Sequence, residues 1–181
     1  SDVAAVGTAS RIRAACNYGG DKGIFGYGYS ALSFTNLVSN AGVVGADVTG
    51  VGTGRYYLAA CEYGEDKGIF GFGSGNVSMT NLVSNAGVVS TDVTGVGTGR
   101  AQLAACSFGG DKGIFGFGHD GSSALSITNL VSNAGVVATD TTGVGTARYA
   151  PAATQYGTDK GIFGFGTTGS VTAVTNLVSN A

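Results

Sequence analysis

"DKGIFGYG" at Asp21–Gly28 and "DKGIFGFG" at Asp66–Gly73, Asp111–Gly118 and Asp159–Gly166 are one octapeptide written four times. The starts are 45, 45 and 48 residues apart. Working outward, "TNLVSN" follows each copy, from Thr35, Thr80, Thr128 and Thr175, and "VGT" precedes each, from Val6, Val51, Val96 and Val144. The 181-residue chain is therefore four copies of one unit. A period of about 45 residues is the size of a propeller blade.

The second copy shows what one unit holds. Residues 55–64, "RYYLAACEYG", are short, apolar and alternating. "DKGIFGFG" carries Ile69, Phe70 and Phe72, "VSMTNLVSN" (77–85) alternates, and "GVVSTDVTGVG" (87–97) is β-branched and bounded by glycine. Four such runs separated by turn residues predict four strands, the first two joined by a tight hairpin at "YGEDKG". No stretch has the period or length of a helix. A four-stranded antiparallel sheet cannot bury both faces alone, and repetition around an axis solves that problem.

The ends carry a further expectation. Ala181 matches Ala134, and Ser1-Asp2 match Thr139-Asp140, so the last unit is split between the termini. This predicts an all-β, four-bladed β-propeller of four-stranded antiparallel blades, a single domain over 1–181. Residues 1 to about 7 are expected to close the last blade as its outer strand.

The string "RYYLAACEYGEDKGIFGFG" in 55–73, an Arg, a small apolar strand, a turn and an apolar strand ending in glycines, resembles a kelch-type β-propeller unit. The kelch Gly-Gly pair appears here as Gly-Phe-Gly, and the chain has no Trp. "TNLVSN" and "TGVGTAR" are also similar to wording in repeat proteins of marine viruses and marine metagenomes. The resemblance implies a propeller and names no activity.

Composition bounds the partners. Charged residues are 11% of the chain against a usual ~25%. A net charge of −2 leaves no basic footprint for nucleic acid. No apolar run approaches the ~18 residues of a membrane span, and no signal peptide is visible, which leaves the compartment open. No cofactor motif is present. "TGVGTGR" at 49–55 and 94–100 looks like a phosphate-cradling loop, but it recurs with the unit and lacks a following helix. Its expected role is a tight loop between blades.

Most charged residues also recur with the unit, among them Asp47, Asp92, Asp140, Arg55, Arg100 and Arg148. Catalysis seldom needs one residue in every repeat, whereas a structural Asp–Arg contact between loop and strand does. Cys16, Cys61 and Cys106 share one position, with Thr154 in the fourth copy. Closed zinc sites use four ligands at short spacings, so small buried thiols are expected rather than a metal site. His119-Asp120 invites general-base chemistry, but no nucleophile motif accompanies it.

The copies differ in two windows. One comprises Ser10–Arg13, Arg55–Leu58, Arg100–Leu103 and Arg148–Pro151; the other comprises Tyr29–Ala31, Ser74–Asn76, His119–Ala124 and Thr167–Ser170. In an antiparallel blade both lie at the same end. The candidate ligand-binding residues are therefore Tyr29, Tyr56, Tyr57, Tyr149, Arg11, Arg13, His119 and Asp120, since tyrosine offers an apolar ring and a polar tip. The expected function is a non-enzymatic, monomeric binding module for carbohydrate or protein. The alternatives are a virion or assembly component and, less in keeping with the absence of a catalytic constellation, a hydrolase or lyase on a propeller scaffold.

Overall fold

The computed structural model describes residues 4–143 and 145–180. Among these described residues, twelve strands form four three-stranded antiparallel sheets. The first is β1 (Ala14–Tyr18), β2 (Lys22–Gly28) and β3 (Leu32–Val38); the second β4 (Ala59–Tyr63), β5 (Lys67–Gly71) and β6 (Thr80–Val83). The third is β7 (Ala104–Phe108), β8 (Lys112–Gly116) and β9 (Thr128–Val131); the fourth β10 (Ala152–Tyr156), β11 (Lys160–Gly164) and β12 (Thr175–Val178). The registers repeat: Cys16 faces Ile24, Cys61 faces Ile69, Cys106 faces Ile114 and Thr154 faces Ile162. Among the described residues no helix is long and apolar enough to cross a membrane.

The hairpin between the first two strands turns where expected. Tyr63 pairs with Lys67, and Gly64 and Glu65 take positive φ between them. Each second strand ends at an aromatic residue in the left-handed region: Tyr27, Phe72, Phe117 and Phe165 have φ of 61–64°. A bulky side chain there is uncommon. Its recurrence in all four units marks it as part of the scaffold, and it throws each ring toward the following sheet.

The expected fourth strand is reduced to two bridges per unit in the first three units. Val44 and Val48 meet Val38 and Thr35; Val89 and Val93 meet Val83 and Thr80; Val137 and Thr141 meet Val131 and Thr128. Polar side chains take over ladder positions. Ser90 Oγ accepts from the Leu82 N–H, and Asp92 turns inward to bond Asn81 and Thr53. Such side-chain bonding competes with a regular ladder. Of the proposed N-terminal strand, residues 1–3 lie outside the described residues, and 4–7 form no strand.

The core lies between sheets. Ile24 and Tyr27 of the first sheet cluster with Phe70 and Val83 of the second; Ile69 and Phe72 with Phe115 and Val131; Ile114 and Phe117 with Phe163. Tyr27–Phe70, Phe72–Phe115 and Phe117–Phe163 are edge-to-face pairs at 5.2–5.3 Å. Each incoming ring rests on a glycine: a Cβ at Gly26 or Gly71 would lie 2.6 Å from the Phe70 or Phe115 ring. The first strands also adjoin in succession, β1 on β4, β4 on β7 and β7 on β10, but β10 makes no comparable contact with β1. Closure of four sheets into a ring is thus not found.

Candidate functional site

The structure brings the two variable windows together within each unit. Tyr29 N–H donates to the Arg11 carbonyl at 2.9 Å and Ser74 N–H to the Tyr56 carbonyl at 2.7 Å. Ala101 and His119 bridge, as do Tyr149 and Thr167. Between units, side chains from the windows meet. The Arg11 guanidinium lies 4.3 Å from the Tyr29 ring centre, Tyr29 lies 5.4 Å from Tyr56, and Tyr56 lies 5.2 Å from Tyr57. A ridge of one cation and three tilted phenols thereby crosses from the first unit to the second, with Tyr29 and Tyr57 exposed and Tyr56 half-buried. His119 and Tyr149 form a second, edge-to-face pair at 5.3 Å across the third and fourth units.

Two of the sequence candidates have structural tasks. Asp120 accepts from the Ser122 and Ser123 N–H groups at 2.8 and 2.7 Å, and His119 Nδ1 accepts from the Gly121 N–H at 2.9 Å. These bonds shape the loop and hold the Asp120 carboxyl below its usual range. The two side chains are not joined to a nucleophile. Arg13 is half-buried and turned toward the Phe25 and Phe34 carbonyls, with its guanidinium 5.6 Å from the Phe34 ring centre. It does not join the ridge.

The repeated charges form a relay, and the direct Asp–Arg contact expected from sequence is replaced by one through asparagine. In the second unit Arg55 donates to the Phe72 carbonyl, the Thr53 carbonyl and Asn81 Oδ1. Asn81 Nδ2 donates to Asp92 Oδ1 at 2.9 Å, and the Thr53 N–H and hydroxyl donate to Asp92 Oδ2 at 3.0 and 2.7 Å. The third unit repeats this with Arg100, Asn129, Asp140 and Thr98. Burial pushes Asp92 and Asp140 up, but the bonds from Asn and Thr outweigh it and leave both below the usual carboxylate range. The glycine-rich "VGT" loop therefore binds an anion, and that anion is the unit's own Asp.

Arg55, Arg100 and Arg148 are fully buried, each over an aromatic ring of the preceding unit: Tyr27, Phe72 and Phe117, at 4.5, 4.1 and 3.8 Å. Burial lowers Arg100 to about 10, against the opposing pull of Asp140, so it stays charged at neutral pH. These cation–π stacks knit unit to unit.

A third feature is the cleft of about 280 Å³ along the first strands, lined by Cys16, Cys61, Cys106 and Thr154 with Asn17 and Glu62. All three cysteines are free thiols; Cys61 and Cys106 are buried and Cys16 is half-buried. Burial raises Cys16 to about 12 and Cys106 to about 11, and Cys61 rises well above its ordinary value. Thiols so shifted are protonated at neutral pH and poor nucleophiles. No group of three or more His, Cys, Asp or Glu among the described residues is arranged to hold a metal ion. No protein-family profile matches the chain, and no curated protein is significantly similar to it.

Proposed function

We propose that this chain is a run of kelch-like propeller wall acting as a non-enzymatic binding module, and that its ligand is a carbohydrate. One observation carries this reading: the window residues that differ between repeats assemble into a continuous Arg11–Tyr29–Tyr56–Tyr57 ridge. A scaffold that holds its buried positions nearly constant has no packing reason to place three tyrosines at positions that the other copies fill in different ways, with none of the three matched by an aromatic in every copy. Phenol rings offer a sugar an apolar stacking face, and their hydroxyls and the guanidinium offer hydrogen bonds. Few charges surround them, which suits a neutral glycan.

A glycan array tests this, followed by titration of a hit against Tyr29→Ala and Tyr56→Ala. Loss of one hot-spot tyrosine is expected to cost about 2 kcal/mol, near 30-fold in Kd. Lys67→Ala, at the opposite end of the sheet, is expected to leave affinity unchanged. No glycan bound, or binding abolished by the Lys67 change and not by the tyrosine changes, refutes the reading.

A further inference from the structure

The first strand of each sheet is an edge strand, and all four first strands line the one cleft of about 280 Å³. Two of the lining positions barely change along the chain. One is alanine in every unit: Ala15, Ala60, Ala105 and Ala153. The next carries the thiols, seated so closely on the following sheet that a Cβ at Gly68, Gly113 or Gly161 would lie 2.6–2.7 Å from a sulfur. The third position is polar in every unit and different in every unit: Asn17, Glu62, Ser107 and Gln155. Packing that keeps its neighbours constant gives no reason for four different polar groups there.

Their hydrogen bonds have a common sense. Asn17 Nδ2 donates to Glu62 Oε2 at 3.4 Å, Ser107 Oγ donates to the Glu62 carbonyl at 3.1 Å, and Gln155 Nε2 donates to the Thr158 carbonyl at 3.0 Å. Each neutral side chain thus spends a donor on the protein and keeps an acceptor, and the Glu62 carboxylate is an acceptor only. That carboxylate is half-buried, and among the described residues no cation pairs with it. Lys22, Lys67 and Lys160 are each turned to the Asp before them. A charge taken from water without a partner is costly. Burial accordingly raises the Glu62 carboxyl above its usual range, with the Asn17 bond opposing and Asp66 adding to the rise.

We propose that this cleft binds a primary alkylammonium group, with the ammonium on Glu62 and the acceptors of Asn17 and Ser107, and the alkyl stem along the alanines. A cation answers the one unpaired charge. Three N–H donors answer a lining that has kept its acceptors. The alanine methyls give the stem an apolar track. One carboxylate calls for one ammonium, so the ligand is a monoamine rather than a polyamine. A metal ion has less to hold it, since no three His, Cys, Asp or Glu side chains among the described residues gather to bind one. Asn17 and Glu62 lie at the hairpin ends of β1 and β4, whereas Tyr56 and Tyr57 precede β4, so the proposal is independent of the glycan reading.

Amide NMR of the isotope-labelled chain, titrated with n-butylammonium chloride at low ionic strength, tests this. Saturable shifts are expected in the Asn17 side-chain amide and the Glu62 backbone amide, with a Kd in the millimolar range, the scale of one partly desolvated ion pair with a short stem. n-Butanol, which has the stem without the charge, and potassium chloride, which has the charge without the donors, are expected to leave these signals in place at the same concentrations. Glu62→Gln keeps the shape and removes the charge; its melting by circular dichroism is expected to stay close to that of the unaltered chain and its binding to weaken at least about tenfold. Nα-acetyl-lysine amide carries the same ammonium on a bulkier frame: weaker binding than n-butylammonium assigns the cleft to a free amine, and equal or tighter binding assigns it to a lysine side chain. No saturable shift in the unaltered chain overturns the proposal, with no variant needed. So do equal shifts from n-butanol or potassium, or a folded Glu62→Gln variant that binds as before.

Discussion

Gly71→Ala and Gly164→Ala are the same substitution in the same heptapeptide, and the structure assigns them opposite outcomes. Neither glycine has a positive φ, so alanine is allowed by the backbone at both. At Gly71 the new Cβ would lie 2.6, 3.0 and 3.2 Å from three atoms of the Phe115 ring. That ring must withdraw by nearly an ångström, yet it is fully buried and held edge-to-face at 5.2 Å from Phe72. Overpacking of this kind costs about 1–3 kcal/mol. The reduced entropy of the unfolded chain returns about 0.4–1 kcal/mol. Gly71→Ala is therefore expected to destabilise by about 1–2 kcal/mol. At Gly164 the Cβ meets only the Thr175 methyl, at 3.3 Å. There the entropy term dominates, and the change is expected to be neutral or stabilising by up to about 0.5 kcal/mol.

Urea unfolding followed by far-ultraviolet circular dichroism measures the difference. A linear array need not unfold in one step, so the comparison is made on whole curves as well as on midpoints. Equal effects at the two sites would mean that Phe115 is not seated on Gly71, and the account of how sheets join would fall.

Two further outcomes follow from the buried groups. Arg100→Ala strands Asn129 Oδ1 and the Phe117 and Thr98 carbonyls and uncovers the Phe72 ring, and is expected to cost about 3–5 kcal/mol in chemical denaturation, with little rescue by Lys; a change under about 0.5 kcal/mol would show the relay to be idle. The thiols are expected to resist an aromatic disulfide reagent in the native state and all three to react in denaturant. Because their folded pKa values are raised, their contribution to stability is complete below the unfolded value of about 8.5 and is lost as pH climbs toward the folded values of about 11 and 12. A triple Cys→Ser variant is expected to flatten that alkaline decline, and an unchanged slope would remove the thiols from it.

Repetition made the sheets legible. Alternation over 59–63 and the glycine-bounded run from Lys67 placed the first two strands to within a few residues, and the hairpin between them. The run 87–97 has the composition of a strand and forms only two bridges, with Asp92 turned inward to Asn81 and Thr53, as Asp47 and Asp140 are in the neighbouring units. Composition scores residue types; it does not say where an aspartate's oxygens go. For the same reason Asp92 and Arg55 were recognisable as structural, while the asparagine between them was not. One signal for Asn81 was available: it recurs in "TNLVSN" 11 residues before the repeated Asp.

The candidate ridge was legible as a set of residues and not as an arrangement. Divergence between copies picks out Tyr29 and Tyr56 because symmetric core positions must be filled alike, but the same test also picks out Arg13 and Asp120, which serve the fold. Only contact separates them. Closure failed for a related reason. The period counts the units, and the matching of Ala181 to Ala134 and Asp2 to Asp140 records where the period is cut; neither contains the angle between neighbours. A Phe ring seats on a glycine of the preceding second strand at all three joints, a contact between sheets that the period alone does not carry.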